Sequence, residues 1–504
     1  MGQFLPKLLS WIVGTKQQTL TIGVKGPFGL VPVTISLDDF NTHLYVVGQS
    51  GQGKSKFLQQ LLYQLASTEW GSGVFDPHSD LANDLLAQLA SYPSHHPWLA
   101  DPANQKRIIY LDPSRTDYLI PANILKSSSS TPYETAENVV EAFRRVWPET
   151  LTEAPRFAQI MRNALTVLAM CGLSLLELEP LLTDGALRKR LLLRVNDPLI
   201  VAFFEQQYDR WGREQALFIS PVLNKVSAFL FKPQVRALLG ANANALDFPR
   251  ILDEGKILIV NLGGFRDEET ARLLGSLWLT SLEQAAFARS PQPARARKPC
   301  LYVLDEFALW CAREQTGLAR ILSECRKYRL HLALAGQTTA QTGPRIQGAL
   351  ENAKLKVIFS TGRQTAEALV SDLFLPNPKT IKHEVSDPTA QTRSHPLYSG
   401  LQEQTEHFIQ TIQRLQQRQV LLRLPDSNTV HHLRTLTVPQ PRITPTQLEQ
   451  WKIFLVRQVG QPRQVLEGEI IQRSQQLGIM SPSTLDPKPR VAPTLELTPD
   501  AFWL

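Results

Sequence analysis

Cysteine is scarce in this sequence: four residues in 504, at Cys171, Cys300, Cys311 and Cys325, with no CxxC spacing among them. So few thiols exclude a disulfide-stapled scaffold and their spacing excludes the common zinc frameworks, which leaves a reducing compartment as the expectation. Long apolar runs are missing too. The longest near the start, Leu8 to Val13, is broken by Ser10 and follows Lys7, well short of the roughly 20 apolar residues that cross a bilayer. No transmembrane helix is expected. Residues 1–20 read as an N-terminal extension, either a helix packing Leu5, Leu8, Leu9 and Ile12 on the core or an amphipathic segment that docks elsewhere. Neither sign of charge dominates: 53 Lys+Arg against 46 Asp+Glu leave +7, a modest bias toward anionic partners that solvated surface charge would produce equally well.

What is present is a globular composition, 43% hydrophobic and 20% charged, with length for roughly two to four domain-sized units. Short apolar runs at Leu44 to Val47, Gly73 to Asp76, Ile108 to Asp112, Ile257 to Asn261, Leu301 to Asp305, Leu330 to Ala335 and Val357 to Ser360 read as buried strands. Helical periodicity alternates with most of them. That alternation predicts an α/β fold with a mostly parallel, doubly wound sheet. Between about Ala122 and Arg250 the strand signal disappears and helical spacing takes over, behind the polar run Ser127 to Thr131. The expected organisation is therefore a core in two parts, 21–121 and 251–438, an all-α insertion over 122–250, and a Pro-rich tail over 439–504. In that tail Leu448 to Ile471 has room for one or two helices, and Phe502, Trp503 and Leu504 end it with an apolar cluster that docks on a partner or packs back.

Chemistry concentrates at GQSGQGKS, formed by Gly48, Gln49, Ser50, Gly51, Gln52, Gly53, Lys54 and Ser55. It satisfies G-x-x-x-x-G-K-[ST], follows a buried apolar run and precedes a helical pattern, the order a phosphate-binding loop requires. Glycines let backbone N–H groups wrap phosphates, and the helix dipole favours their charge. Lys54 is expected on the β- and γ-phosphates and Ser55 on Mg²⁺. A second buried run, CLYVLDE, ends in Asp305 and Glu306. Asp305 suits the Mg²⁺ shell, and Glu306 suits orienting and polarising a water, so the pair points to hydrolysis of ATP rather than to binding alone. Farther on, ECRKYRLHLALAGQT sets Arg326 before one more buried strand and Gln337 after it. On position alone, each is either a transition-state contact or an ordinary surface or turn residue.

Together with VFDPHSDL around Asp76, Pro77 and His78, these segments resemble the HerA/FtsK superfamily of P-loop ATPases with a RecA-like core. SPVLNKVSAFL at Ser220, EGKILIVNLGG at Glu254 and the helical insertion are similar to the TraG/TraD-like coupling proteins of conjugative type IV secretion. The resemblance spans roughly Thr21 to Pro425. It implies that Arg326 is an arginine finger acting in trans, that Gln337 senses the γ-phosphate, and that a homo-hexamer forms so that one subunit completes the next subunit's site. It assigns no secure role to Asp76 or His78. Coupling proteins usually begin with transmembrane helices, and none is read here, so the expectation is a cytoplasmic protein recruited to a membrane secretion-channel partner or a cytosolic DNA pump.

The resemblance further implies sequence-independent DNA binding, with basic loops moving the phosphate backbone through a pore. Arg188, Lys189, Arg190 and Arg194, and Arg295, Arg297 and Lys298, are the basic candidates, each also explicable as solvated surface charge. The leading expectation is an ATP- and Mg²⁺-dependent hexameric DNA translocase in conjugative transfer or DNA processing. The alternatives are a motor of the same fold acting on protein substrates in secretion or pilus assembly, and a nucleotide-dependent platform that recruits a relaxosome without pumping.

Overall fold

A computed structural model of the chain describes residues 19–26, 29–91, 102–148, 156–310, 317–338, 344–374, 377, 379, 381–386, 394–425, 427 and 429–480. The expectations placed on Leu5 to Ile12, on Cys311 and on Phe502 to Leu504 lie outside these residues. In chain order the elements begin with β1 (Thr19–Lys25), β2 (Val31–Ser36), β3 (Leu44–Val47), α1 (Lys54–Leu65), β4 (Gly71–Asp76), α2 (Asp80–Ser91), β5 (Ile108–Leu111) and β6 (Tyr118–Leu119). Thr19 and Leu20 are thus strand residues.

Helices follow, the longest being α3 (Pro132–Val146), α4 (Arg156–Met170) and α5 (Gln215–Leu230). Then come β7 (Ile257–Asn261), α6 (Glu268–Ala288), β8 (Cys300–Leu304), α7 (Gly317–Glu324), β9 (Leu330–Gly336), β10 (Leu355–Ile358), α8 (Arg363–Leu373), β11 (Ile381–Ser386) and β12 (Ser394–Tyr398). The chain closes with α9 (Leu401–Gln413), β13 (Gln419–Arg423), β14 (Val430–Thr435), α10 (Pro445–Arg457), β15 (Gln461–Pro462) and α11 (Arg463–Gln476).

The fold is the RecA-like α/β arrangement with a large, mostly parallel central sheet. Contacts divide it into two compact units. The first takes the described residues within 1–68, 303–326 and 331–439, and its strands run in the order β2-β1-β14-β13-β10-β3-β9, ending on the last residues of β8. Here β10, β3 and β9 are parallel, with Val47 opposite Ile358 on one side and Gly336 on the other. β13, β14, β1 and β2 extend the edge antiparallel. β3 and β9 are buried along their whole length, which is why both read as unbroken apolar runs rather than as alternating strands.

The second unit takes the described residues within 69–302, 327–330 and 440–504. Its strands run from the first residues of β8 through β4 and β7 to β5, with β4 and β5 both parallel to β7. The helical stretch begins where Thr131 caps α3: its hydroxyl accepts the Glu134 N–H, the Glu134 carboxylate accepts the Thr131 N–H at 2.7 Å, and Pro132 fills the first turn. The serine run ahead of it is an ordered turn, with Ser127 Oγ accepting from the N–H groups of Ser129 and Ser130.

The tail forms two helices, and both belong to the second unit. Arg473 on α11 donates to Glu177 at 2.9 Å, Ser174 at 3.0 Å and the Gly240 carbonyl at 2.8 Å, a fork that ties α11 to the turn at Ser174–Glu177 and to the helix end at Gly240. Glu177 is 1% exposed, so removing its cation strands a buried carboxylate. Arg473→Met is expected to cost about 3–5 kcal/mol in chemical denaturation. Adding Glu177→Leu, which removes the stranded charge, is expected to recover most of that loss.

Candidate nucleotide site

All the sequence-nominated residues of the phosphate site fall in the first unit. β3 delivers the chain to a loop over residues 48–53, and α1 leaves it with Gly53 as its N-cap at φ 108°. Gly51, at φ 78°, is the second left-handed position of the loop. The loop is anchored at its start, where Gly48 donates to the carbonyl of Gly336 at 3.2 Å and Gln49 to that of Ser360 at 2.8 Å. It therefore rests on the ends of β9 and β10. A Cβ on Gly48 would lie 2.4 Å from the Phe359 Cβ, so nothing larger than glycine fits.

A second clamp comes from the turn into β13, where Arg418 N–H donates to the Gln52 carbonyl at 3.0 Å and the Gln417 side-chain amide to the Gly51 carbonyl at 2.9 Å. Sequence reading missed both residues. They sit more than 360 positions from the loop and carry no motif, and only the antiparallel pairing of β13 with β10 brings them there.

Among the described residues the backbone N–H groups of residues 50–53 donate to no backbone carbonyl. Together with the open first turn of α1, they form a cluster of donors suited to phosphate oxygens. Lys54 is buried, its ammonium resting on the carbonyls of Gly48 and, at 3.1 Å, Gln49. Burial holds it below the ordinary lysine range, while the charges of Glu306 and Asp305 oppose that shift.

Those two acids arrive at the end of β8. Asp305 is 8% exposed and turns its Oδ1 back to the Glu306 N–H at 3.2 Å. Trp310 Nε1 fixes the Asp305 carbonyl at 3.0 Å. Glu306 sits at φ 45°, uncommon for a residue with a side chain, and its carboxylate accepts from the Gln337 amide at 2.9 Å. The structure thus brings Lys54, Asp305, Glu306 and Gln337 to one end of the parallel strands. An oxygen-rich, acid-containing set of this kind, with the half-buried Ser55 hydroxyl on the first turn of α1, fits a Mg²⁺–nucleoside triphosphate.

Arg326 does not join them. It is exposed, in the turn Cys325–Tyr328 that precedes β9, whereas the loop is bonded to Gly336 at the opposite end of that strand. Seven strand residues at about 3.3 Å each put over 20 Å between them.

Asp76 and His78 lie in the second unit, at the end of β4. The Asp76 carboxylate is fully buried and accepts from the N–H groups of His78 and Ala82, both at 2.8 Å, so it caps the turn into α2. Burial raises its pKa against those two bonds. The His78 side chain is exposed.

The basic candidates divide in the same unit. Arg188 is a buried strut to the Leu181 and Leu182 carbonyls and to Asp209. Arg190 and Arg194 bind the carbonyls of Leu477 and Cys171. Arg297 and Lys298 bind loop carbonyls. Lys189 and Arg295 point to solvent.

The contact at Gly48 gives a direct test. Gly48→Ala is expected to weaken binding of a fluorescent ATP analogue at least about tenfold, equivalent to about 1.4 kcal/mol. Gly348→Ala, whose new methyl meets nothing within 4 Å, is expected to leave it unchanged.

Comparison with known proteins agrees with this architecture. The chain is similar to the bacterial conjugative coupling protein TrwB in its unbound form, at 16% identity over 87% of this chain and 93% of that one, with a TM-score of 0.58. TrwB in complex with ADP and Mg²⁺ matches at 16% identity over the same shares, with a TM-score of 0.56. VirB4 of Thermoanaerobacter pseudethanolicus matches at 13% identity over 84% of this chain and 98% of that one, with a TM-score of 0.52. At these identities the likeness is one of fold. No curated protein sequence matches. Among the described residues no helix is long and apolar enough to cross a membrane. A sequence profile described as the central domain of helicase HerA matches residues 20–281, just over half of the chain, and the chain therefore belongs to the HerA helicase central-domain family.

Proposed function

We propose that this protein is a Mg²⁺-dependent ATPase that works as a homo-hexameric ring and drives DNA movement, as a coupling-protein-like motor in conjugative transfer or DNA processing. The observation that carries the hydrolytic part is the Glu306–Gln337 contact at 2.9 Å, with the buried Lys54 under the charge of both acids. A protein that only held nucleotide would need the loop and Asp305. A polar pair beyond them is what water activation requires.

In this reading the loop N–H groups and Lys54 bind the β- and γ-phosphates, and Ser55 and Asp305 would hold Mg²⁺, which would supply charge neutralisation to the phosphate oxygens. Glu306 orients the attacking water and accepts its proton. Gln337 aims that carboxylate and contacts the γ-phosphate. Arg326 supplies charge stabilisation to the neighbouring subunit's nucleotide, because its own phosphate loop lies over 20 Å away along β9. A finger that serves the next copy implies head-to-tail packing that closes.

The DNA substrate rests on family membership and on the likeness to a conjugative coupling protein. Relaxosome or secretion-channel partners would recruit the ring from the cytoplasm to the membrane.

Glu306→Gln is expected to lower kcat by about 10²–10⁴-fold while nucleotide affinity stays within a few-fold, whereas Lys54→Ala is expected to lose affinity itself. Steady-state hydrolysis and nucleotide titration read the two apart. Single- or double-stranded DNA is expected to raise wild-type hydrolysis several-fold. A rate that neither DNA moves would sink the DNA reading and favour a protein substrate.

A further inference from the structure

The feature of the first unit that the nucleotide site does not use is a buried imidazole at the foot of the parallel strands, the end opposite the phosphate loop. His43 is 1% exposed and sits at φ 61°, ψ 164°, a backbone region that glycine occupies almost alone. Such a conformation persists only where the surroundings over-determine it, and here they do. The Leu332 N–H donates to Nδ1 at 3.0 Å, which fixes the tautomer, and Nε2–H donates to the Leu322 carbonyl at 3.1 Å. Burial, followed in order by the opposing Leu322 hydrogen bond and the nearby Arg326 charge, leaves the ring pKa at about 4, so the imidazole is neutral near pH 7. The His331 ring lies 6.1 Å away, tilted.

The bonded partners give the ring its meaning. Leu322 is in α7, four residues before Arg326, about one helical turn. Leu332 is in β9, whose far end leads into Gln337. The residue after His43 opens β3, whose far end opens into the phosphate loop. One side chain therefore joins the foot of the loop-bearing strand, the foot of the Gln337-bearing strand and the last turn of α7, the helix that leads into the turn presenting Arg326.

We propose that His43 is a positioning residue for Arg326: by holding Leu322 against β3 and β9 it sets the finger that each subunit offers its neighbour relative to that subunit's own phosphate loop. The proposal rests on the trans role of Arg326, and the test separates the two.

Glu306→Gln subunits cannot hydrolyse but offer an intact finger. Arg326→Ala subunits keep Glu306 but offer none. Mixed, they are expected to recover hydrolysis that neither shows alone; if the mixture stays inactive, the trans reading fails before His43 is at issue. His43 is then changed on one side at a time. Asn keeps an acceptor for Leu332 but cannot reach Leu322, whereas Gln reaches Leu322 with an amide donor.

His43→Asn in the Glu306→Gln finger-donating subunit is expected to lower the kcat of the mixture at least about tenfold with KM unchanged. The same change in the Arg326→Ala subunit is expected to leave it within twofold. His43→Gln in the donating subunit is expected to restore most of the activity. Ring assembly and thermal melting of each variant are measured alongside. Equal losses on both sides, a loss confined to the Arg326→Ala side, or no loss on the donating side would overturn the proposal. If the Asn variant does not assemble, the Gln variant decides on the same terms: near-full activity on the donating side supports it, and a collapse there with intact assembly overturns it.

Discussion

The parallel pairing of β3 with β9 is the constraint on which the site depends. Its register sets Val47 opposite Gly336, and one residue later Gly48 donates to the Gly336 carbonyl. That bond seats the phosphate loop on the strand that delivers Gln337. A slip of one residue would turn every side chain of a strand to the opposite face, and the loop would lose both its anchor and its alignment with Glu306. The packing is correspondingly unforgiving: Gly48 meets Phe359, and a Cβ on Gly336 would lie 3.0 Å from the Phe307 ring.

The same pairing separates what it aligns. Because β3 and β9 run in one direction, residues before them and residues after them occupy opposite edges of the sheet. Lys54, Asp305, Glu306 and Gln337 collect at one edge, and Arg326 and His43 lie at the other. A hydrolytic site with its acid, sensor and lysine on one chain and its arginine over 20 Å away along a strand is half of an intersubunit device in the reading proposed here. The protein's own strands would then be the rigid connection between the site it owns and the one it completes.

Much of this was legible in the sequence, for identifiable reasons. The phosphate loop, the acidic end of β8 and the buried strands are local patterns, and each depends on residues within about ten positions of one another. The fold class followed from their alternation. The contacts that hold the site were not legible, because they are long-range. Gln417 and Arg418 reach the loop from the far end of the chain, and His43 meets Leu322 across 279 positions. In THLYVV a single histidine before an apolar run looks like a solvated strand end, and nothing in it announces a buried ring with both nitrogens engaged. Arg188 misled in the other direction: a basic cluster read as surface charge contains a side chain buried against carbonyls and an aspartate. The two helices of the Pro-rich tail lie where its sequence left room for them, and two of its prolines, Pro445 and Pro462, stand at helix starts, where a missing N–H costs little.

The central claim is that nucleotide is hydrolysed at a site completed by a second copy. A cryo-electron microscopy reconstruction of the full chain with Mg²⁺, a non-hydrolysable ATP analogue and DNA tests it most directly. The expected result is a closed ring in which Arg326 of each subunit reaches the γ-phosphate held by the Lys54 loop of the next. An assembly in which Arg326 faces solvent while nucleotide fills the loop, or a monomer with a complete site of its own, would contradict it.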